Sequence, residues 1–173
     1  MRVLLDVSAV PARPAGAGVY TWALADGLAK TDGVELHLAT RRDDTERWAS
    51  MAPHATLHAI VPTSRPARLL WEQTGATRLA ATVAPDVWHG PHYTMPLRSP
   101  IPTVVTVHDM TFFDHPEWHE RTKVPYFRRM IGAATRRAAA IVCVSQHTAD
   151  RLDALVSHHG TVHVIRHGVD HDR

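Results

Sequence analysis

Short apolar runs rich in Val and Ile alternate with longer amphipathic stretches, which predicts an α/β protein with a mostly parallel sheet. The expected form is a Rossmann-like, three-layer α/β/α sandwich. A second observation is the run Thr103-Val104-Val105-Thr106-Val107, nearly all apolar, as expected of a strand covered by helices on both faces. The third is size: 173 residues, 45% apolar and 21% charged, suit a single domain that hides about 70% of its unfolded surface.

Taken in order, the strand candidates are residues 2–8, 35–39, 56–61, 87–89, 103–108, 141–145 and 162–165. Between them, residues 19–30 place Tyr20, Leu24 and Leu28 at four-residue spacing, a stripe for a helix that faces a core. Residues 43–51 read as a shorter helix. Residues 65–83 read as a long one interrupted by Gly75. In residues 120–139, Val124, Phe127, Ile131, Ala134 and Ala138 share one face, and Arg128, Arg129, Arg136 and Arg137 fall elsewhere, as on a solvated surface. Pro-containing stretches lie between elements, where turns belong.

Composition excludes several function classes. Nineteen Lys and Arg against seventeen Asp and Glu leave a net charge of +2, too small for the footprint of a nucleic-acid binder. The single cysteine, Cys143, excludes an internal disulfide, a CxxC redox pair and a multi-cysteine zinc site, and suits a reducing, cytoplasmic compartment. No window approaches the run of about 18 apolar residues that spans a bilayer, although peripheral contact with the inner face of a membrane stays compatible with the composition. Residues 1–10 read as a first strand, not a signal peptide. Fourteen histidines invite a metal, but their spacings are scattered, and Pro116 breaks any helix that would align His115 with His119. No metal is expected.

Four clusters carry candidate chemistry. The segment Pro11-Ala12-Arg13-Pro14-Ala15-Gly16-Ala17-Gly18 leads into a helix, so its free N–H groups suit a phosphate or another polar oxygen. It matches neither GxGxxG nor GxxxxGK[ST], and a plain connecting loop reads equally well. His108 and Asp109 emerge at the carboxyl end of a buried strand, where open parallel sheets bind ligands; an imidazole there can bond sugar hydroxyls or move a proton. The alternative is that the pair caps the strand and a following turn. His89, His92 and Tyr93 leave another strand end and would line the same rim if the strands are neighbours. Ser145 stands where a strand gives way to a helix, chiefly as an N-cap, and is also a substrate-binding candidate. Cys143 lies among apolar residues and reads as inert. Neither Ser8 nor Ser145 sits in a GxSxG elbow.

In order along the chain, Gly16-Ala17-Gly18-Val19-Tyr20-Thr21, Pro85-Asp86-Val87-Trp88-His89, Thr103 to Asp109, Ile141 to Ser145 and Val164 to Asp170 resemble the N-terminal half of family-4 glycosyltransferases. That group retains anomeric configuration and has two Rossmann-like domains, the GT-B fold. Residues 112–119 look like its bacterial mannosyl- and glucosyltransferase branch. The resemblance implies transfer of a hexose from a nucleotide-sugar, GDP-mannose or a UDP-sugar, to a hydroxyl of a glycan, lipid-linked or small-molecule acceptor, without metal or other cofactor. The N-terminal domain would hold the acceptor. Gly16 and Gly18 would approach the donor phosphate and acceptor, His108 would sit beside the transferred sugar, and Asp109 would shape that pocket.

The family's C-terminal, donor-binding domain would follow the His167-Gly168-Val169-Asp170 segment and is absent from the 173 residues. The expectation is therefore one acceptor-side domain over residues 1–173, inactive without its partner half, since donor and acceptor cannot be held together by one jaw. Rival readings are a half of a UDP-sugar epimerase of the same fold, and a non-catalytic module that binds a glycan or nucleotide or self-associates as a homodimer. A phospho-receiver domain is disfavoured, because Asp6 ends no acidic pair and no lysine follows Lys123.

Overall fold

The structure, a computed structural model, describes residues 1–168. Along the chain run β1 (Arg2–Asp6), α1 (Ala17–Ala29), β2 (Glu35–Arg41), α2 (Thr45–Met51), β3 (Thr56–Val61), α3 (Arg65–Val83), β4 (Val87–Gly90) and β5 (Thr103–Val107). There follow α4 (Thr111–Asp114), a 3-10 turn (Pro116–Trp118), α5 (Lys123–Thr135), β6 (Ala140–Cys143), α6 (Gln146–Leu155) and β7 (Thr161–Val164). The strands form one sheet in the order β3-β2-β1-β4-β5-β6-β7. Every strand pairing is parallel, so the sheet is wholly rather than mostly parallel.

The alternation of side chains along a strand divides the core into layers. Val3, Leu5 and Val7 pack with Leu36, Leu38 and the buried Trp48 beneath α1 and α2, whereas Leu4 faces the other way, to Ala76, Ala80 and Trp88 under α3. Val105 and Val107 join Ile141 and Cys143 beneath α5 and α6. The stripe expected on α5, from Val124 to Ala138, lies in that cluster. Chain order reverses between β1 and β4, and that reversal opens a crevice at the carboxyl edge of the sheet.

Boundaries differ from the sequence expectation where side chains or turns terminate an element. β1 stops at Asp6, not residue 8, because the Asp6 carboxylate accepts from the Ser8 N–H (3.0 Å) and turns the chain. α5 spans only the middle of residues 120–139, with turns at Lys123 N–H to Glu120 and Arg137 N–H to Ala134 closing its two ends. α3 is continuous through Gly75; a Cβ there would meet the Trp71 indole at 2.3 Å, so the glycine makes room for that ring. Arg128 is not simply solvated, since its Nε donates to the Phe112 carbonyl (2.7 Å) and ties α5 to α4.

Gly90 is the tightest of the glycines. A Cβ there would lie 2.2 Å from the Thr94 carbonyl oxygen, a backbone atom with no means of withdrawing. We expect Gly90→Ala to destabilise the fold by at least about 1–3 kcal/mol through overpacking. Gly27→Ala, on an open face of α1, should be neutral or stabilising by up to ~1 kcal/mol. Urea denaturation of the two variants reads the contrast, and equal stabilities would refute it.

Candidate functional site

The loop after β1 is held from beneath by two arginines. Arg41 Nη1 donates to the carbonyls of Ser8 (2.9 Å) and Val10 (2.7 Å), and Arg47 Nη1 donates to that of Pro11 (2.7 Å). The buried Asp44 carboxylate accepts from both guanidinium groups and from Trp48 Nε1 (3.1 Å). The clamp sets the path of the chain into α1. Gly16, at φ 49° and ψ −115°, caps that helix in a conformation a side chain would strain, and it is exposed.

Gly18 is buried in the first turn of α1, where a Cβ would touch Pro14 at 3.0 Å, so its small size lets the loop pack closely on the helix. Gly16, in contrast, lines a cleft of about 520 Å³ together with Tyr20, His89, Ile165 and His167. The helix begins at Ala17, two residues before the start that periodicity predicts, which places Gly18 inside it.

Tyr20, one turn into α1, joins this loop to the strand ends. Its hydroxyl lies 3.2 Å from Thr106 Oγ1, which lies 2.8 Å from His89 Nε2. The Tyr20 ring meets the His108 ring edge-on at 5.0 Å between centroids and stacks on His167 at 5.0 Å. His92 and Tyr93 each approach His108 to 5.6 Å. β4 and β5 are neighbours, so the side chains that leave their carboxyl ends lie along one rim of the sheet.

His108 Nε2 is 2.7 Å from the Pro91 carbonyl, an acceptor, so Nε2 carries the proton and neutral His108 keeps Nδ1 as its free acceptor. Burial lowers its pKa, with His167 adding to that effect, against the opposing influence of the Pro91 carbonyl and Asp109. The imidazole is therefore neutral at pH 7 and suited to accept from a sugar hydroxyl. His89 and His92 are also neutral, both pushed down to about 4 by burial, with His108 adding to the effect.

Asp109 holds the pocket's shape. Burial favours its neutral form, but hydrogen bonds from Thr111 and Tyr93 outweigh that and keep its pKa below the ordinary value. One oxygen accepts from the Thr111 N–H (2.9 Å) at the start of α4, and the other from the Tyr93 hydroxyl (2.6 Å). Both oxygens of Asp109 are thus engaged by hydrogen bonds within the fold. Tyr93 itself sits at φ 59°, a left-handed conformation unusual for a bulky side chain. Ser145 caps α6 by accepting from the Thr148 N–H (3.1 Å), and Thr148 Oγ1 donates to the His108 carbonyl (3.1 Å). Its contribution to the site is thus indirect.

A second cavity, of about 380 Å³, opens between the β1 and β4 loops and α3. Its lining includes His92 and Tyr93, but also Asp6, Arg65, Arg68 and Glu72, which sequence reasoning missed. The only signal for them was the four-residue spacing of Arg68 and Glu72 on a predicted helix, common to any polar helix face. Burial pushes Glu72 up to about 7, and raises Asp6 as well, against hydrogen bonds from Ser8 and the charge of Arg68. Cys143 is buried and its thiol is pushed up to about 11 by burial, so it is inert. Among the described residues no group of three His, Cys, Asp or Glu gathers as a metal site needs. His115 stacks on Trp118 and His119 on Phe112.

These pKa values predict acid sensitivity. A histidine whose folded pKa is depressed resists a proton that the unfolded chain accepts, so stability is full above about pH 6.5 and is lost as pH falls toward 4. Each of His89 and His92 contributes up to about 3 kcal/mol to that loss. Glu72 acts with opposite sign, its stabilising influence fading as pH rises from 4.5 to about 7. Asp6, also raised by burial, acts in the same direction as Glu72, so the histidine contribution is read by difference: from pH 7 to 4.5 thermal melts of His89→Gln should lose less stability than those of the unaltered chain. An unchanged slope in that variant would contradict the assignment.

A doubly wound parallel sheet with its polar and aromatic side chains gathered at the switch point belongs to the ligand-binding Rossmann-like class. The model of Glycosyltransferase Family 4 matches residues 14–173, and the chain belongs to that family. No curated relative matches it in sequence. Among solved structures, sucrose-phosphate synthase from Thermosynechococcus elongatus shares the fold with a TM-score of 0.62 at 13% identity, over 98% of this chain and 91% of that one. The α/β architecture and the family expected from the sequence thus both hold. Of the segment 164–170 that supported the resemblance, Val169 and Asp170 lie outside the described residues. Among the described residues no helix is long and apolar enough to cross a membrane.

Proposed function

We propose that this chain is the acceptor-side domain of a retaining hexosyltransferase that uses a nucleotide-sugar and no metal. The carrying observation is the convergence of Tyr20, His92, Tyr93 and His108 from three separate segments onto one edge of the sheet, beside two cavities of small-molecule size. Neutral His108 accepts from a hydroxyl of the transferred sugar through Nδ1. The exposed Gly16 caps α1 at the rim of the larger cleft, where the helix N-terminus favours a donor phosphate. The smaller cavity takes the acceptor.

In this reading transfer needs a second, donor-binding domain, which would meet the face carrying the exposed Val19 and Ile165. Holding both substrates in register supplies much of the rate enhancement, and a single domain cannot do so. The purified 173-residue chain, given GDP-mannose or UDP-glucose and an acceptor, is expected to show no transfer. Turnover at about 1 per second or more would overturn the half-site reading.

A further inference from the structure

We propose that His119 is a further positioning residue of the site, which directs the Thr111 hydroxyl onto Asp109 and clamps Phe112, so that the carboxylate, Tyr93 and the aromatic side chains behind them are held as one unit beside His108. The inference rests on the reading of this edge as the substrate site and adds a residue to it.

Proton count fixes the direction of each hydrogen bond. Thr111 Oγ1 lies 2.5 Å from Asp109 Oδ1 and 2.9 Å from His119 Nε2. A threonine hydroxyl has one proton to give, and an ionised carboxylate can only accept. The Thr111 proton therefore goes to Asp109, and His119 Nε2 must carry a proton and donate it to Thr111. An imidazole protonated at Nδ1 alone would set a second acceptor against that hydroxyl and leave one contact unpaired. The Tyr93 hydroxyl closes the other end of the chain on Asp109 Oδ2 (2.6 Å). Donation into Thr111 polarises its O–H and strengthens the bond that it makes onward, so His119 acts on the carboxylate without touching it. Burial favours the neutral acid of Asp109, and the Thr111 hydroxyl is foremost among the bonds that reverse this.

The same ring ends an aromatic stack. His119 lies face to face with Phe112, 3.9 Å between centroids and 19° between planes, and Phe112 lies likewise on Phe127 of α5 at 4.4 Å. Tyr93 meets both phenylalanines edge-on, at 6.0 and 6.3 Å. The 3-10 turn brings the ring to this place, because the His119 N–H donates to the Pro116 carbonyl (3.2 Å) and returns the chain over Thr111. All four rings border the smaller cavity. A phenylalanine at position 119 would stack as well; only the hydrogen-bonded end of the ring calls for an imidazole.

The first test uses the 173-residue chain labelled with nitrogen-15 histidine. At pH 8 the ring shifts of His119 should be those of a single Nε2–H tautomer. An Nδ1–H form, or the averaged shifts of a free imidazole, overturns the inference. The second test is kinetic, in a two-domain enzyme that carries this chain. His119→Phe keeps the stack and removes the donor, and should lower kcat about tenfold, as small misplacements at a site do. Its melting temperature should stay within about 3 °C of that of the unaltered enzyme. His119→Gln, which restores an N–H, should recover most of the rate. His115→Phe, at a ring stacked on the exposed Trp118 and bonded to Glu117, should leave the rate unchanged.

An unchanged kcat in His119→Phe overturns the inference, as does a loss that His119→Gln fails to recover or that His115→Phe shares. His108→Ala, measured alongside, keeps two failures apart. If it lowers transfer and His119→Phe does not, the site stands and only the role of His119 falls. If neither variant lowers transfer, the reading of this edge as the substrate site falls as well.

Discussion

Replacing His108 by alanine in a two-domain enzyme that carries this chain is expected to lower sugar transfer by about 100-fold, the loss typical when one preorganised polar group is removed from a site. The ring does three things at once. Its Nε2–H satisfies the Pro91 carbonyl, its Nδ1 is left to accept from a substrate hydroxyl, and its faces and edges fill the space among Tyr20, His92, Tyr93 and His167. His108→Gln separates these roles, because an amide N–H restores the bond to Pro91 without an imidazole acceptor. We therefore expect Gln to recover stability but not rate. Near wild-type transfer and acceptor affinity in His108→Ala would remove this residue from the site.

Asp44→Ala should give the largest loss of stability, about 3–5 kcal/mol. The carboxylate is buried and is the shared partner of Arg41, Arg47 and Trp48 Nε1. Its removal leaves two largely buried guanidinium groups facing each other and an indole N–H without an acceptor. A fall in Tm on the order of 10 °C follows from that free energy for a domain of this size. Asp43 makes only a more exposed pair with Arg41, so Asp43→Ala should change stability by less than about 1 kcal/mol. If calorimetry found the two variants alike, the clamp beneath the β1 loop would not be the support described. Because Arg41 and Arg47 hold the loop carbonyls that lead to Gly16, Asp44→Ala should also loosen that loop.

Periodicity made most of the architecture legible before any coordinates. Runs of three to seven residues marked all seven strands, and the stripe from Val124 to Ala138 marked the buried face of α5. The errors lie at ends and at single glycines, where the deciding interaction is a side chain or a packing distance. Asp6 turns the chain by capping Ser8, and Gly75 accommodates Trp71 inside an unbroken helix. Gly16 and Gly18 look equivalent in a loop pattern, yet one requires a left-handed backbone and the other lacks room for a Cβ. Short α4 was not anticipated, since its four residues carry no periodic signal.

The amino-acid order alone determined the fold class, the parallel sheet and the carboxyl-edge placement of His89, His92, Tyr93 and His108, because each follows from local pattern and from the direction a strand leaves a sheet. It could not decide which of these groups face a ligand and which support the others. Asp109 is committed to Tyr93 sixteen residues away, Ser145 reaches His108 only through Thr148, and Arg68 of α3 meets Ser8 across 60 residues. Those partnerships exist only once the chain reverses between β1 and β4 and brings distant segments to one edge. The charge state of Glu72 is likewise a property of burial, which no residue carries in isolation.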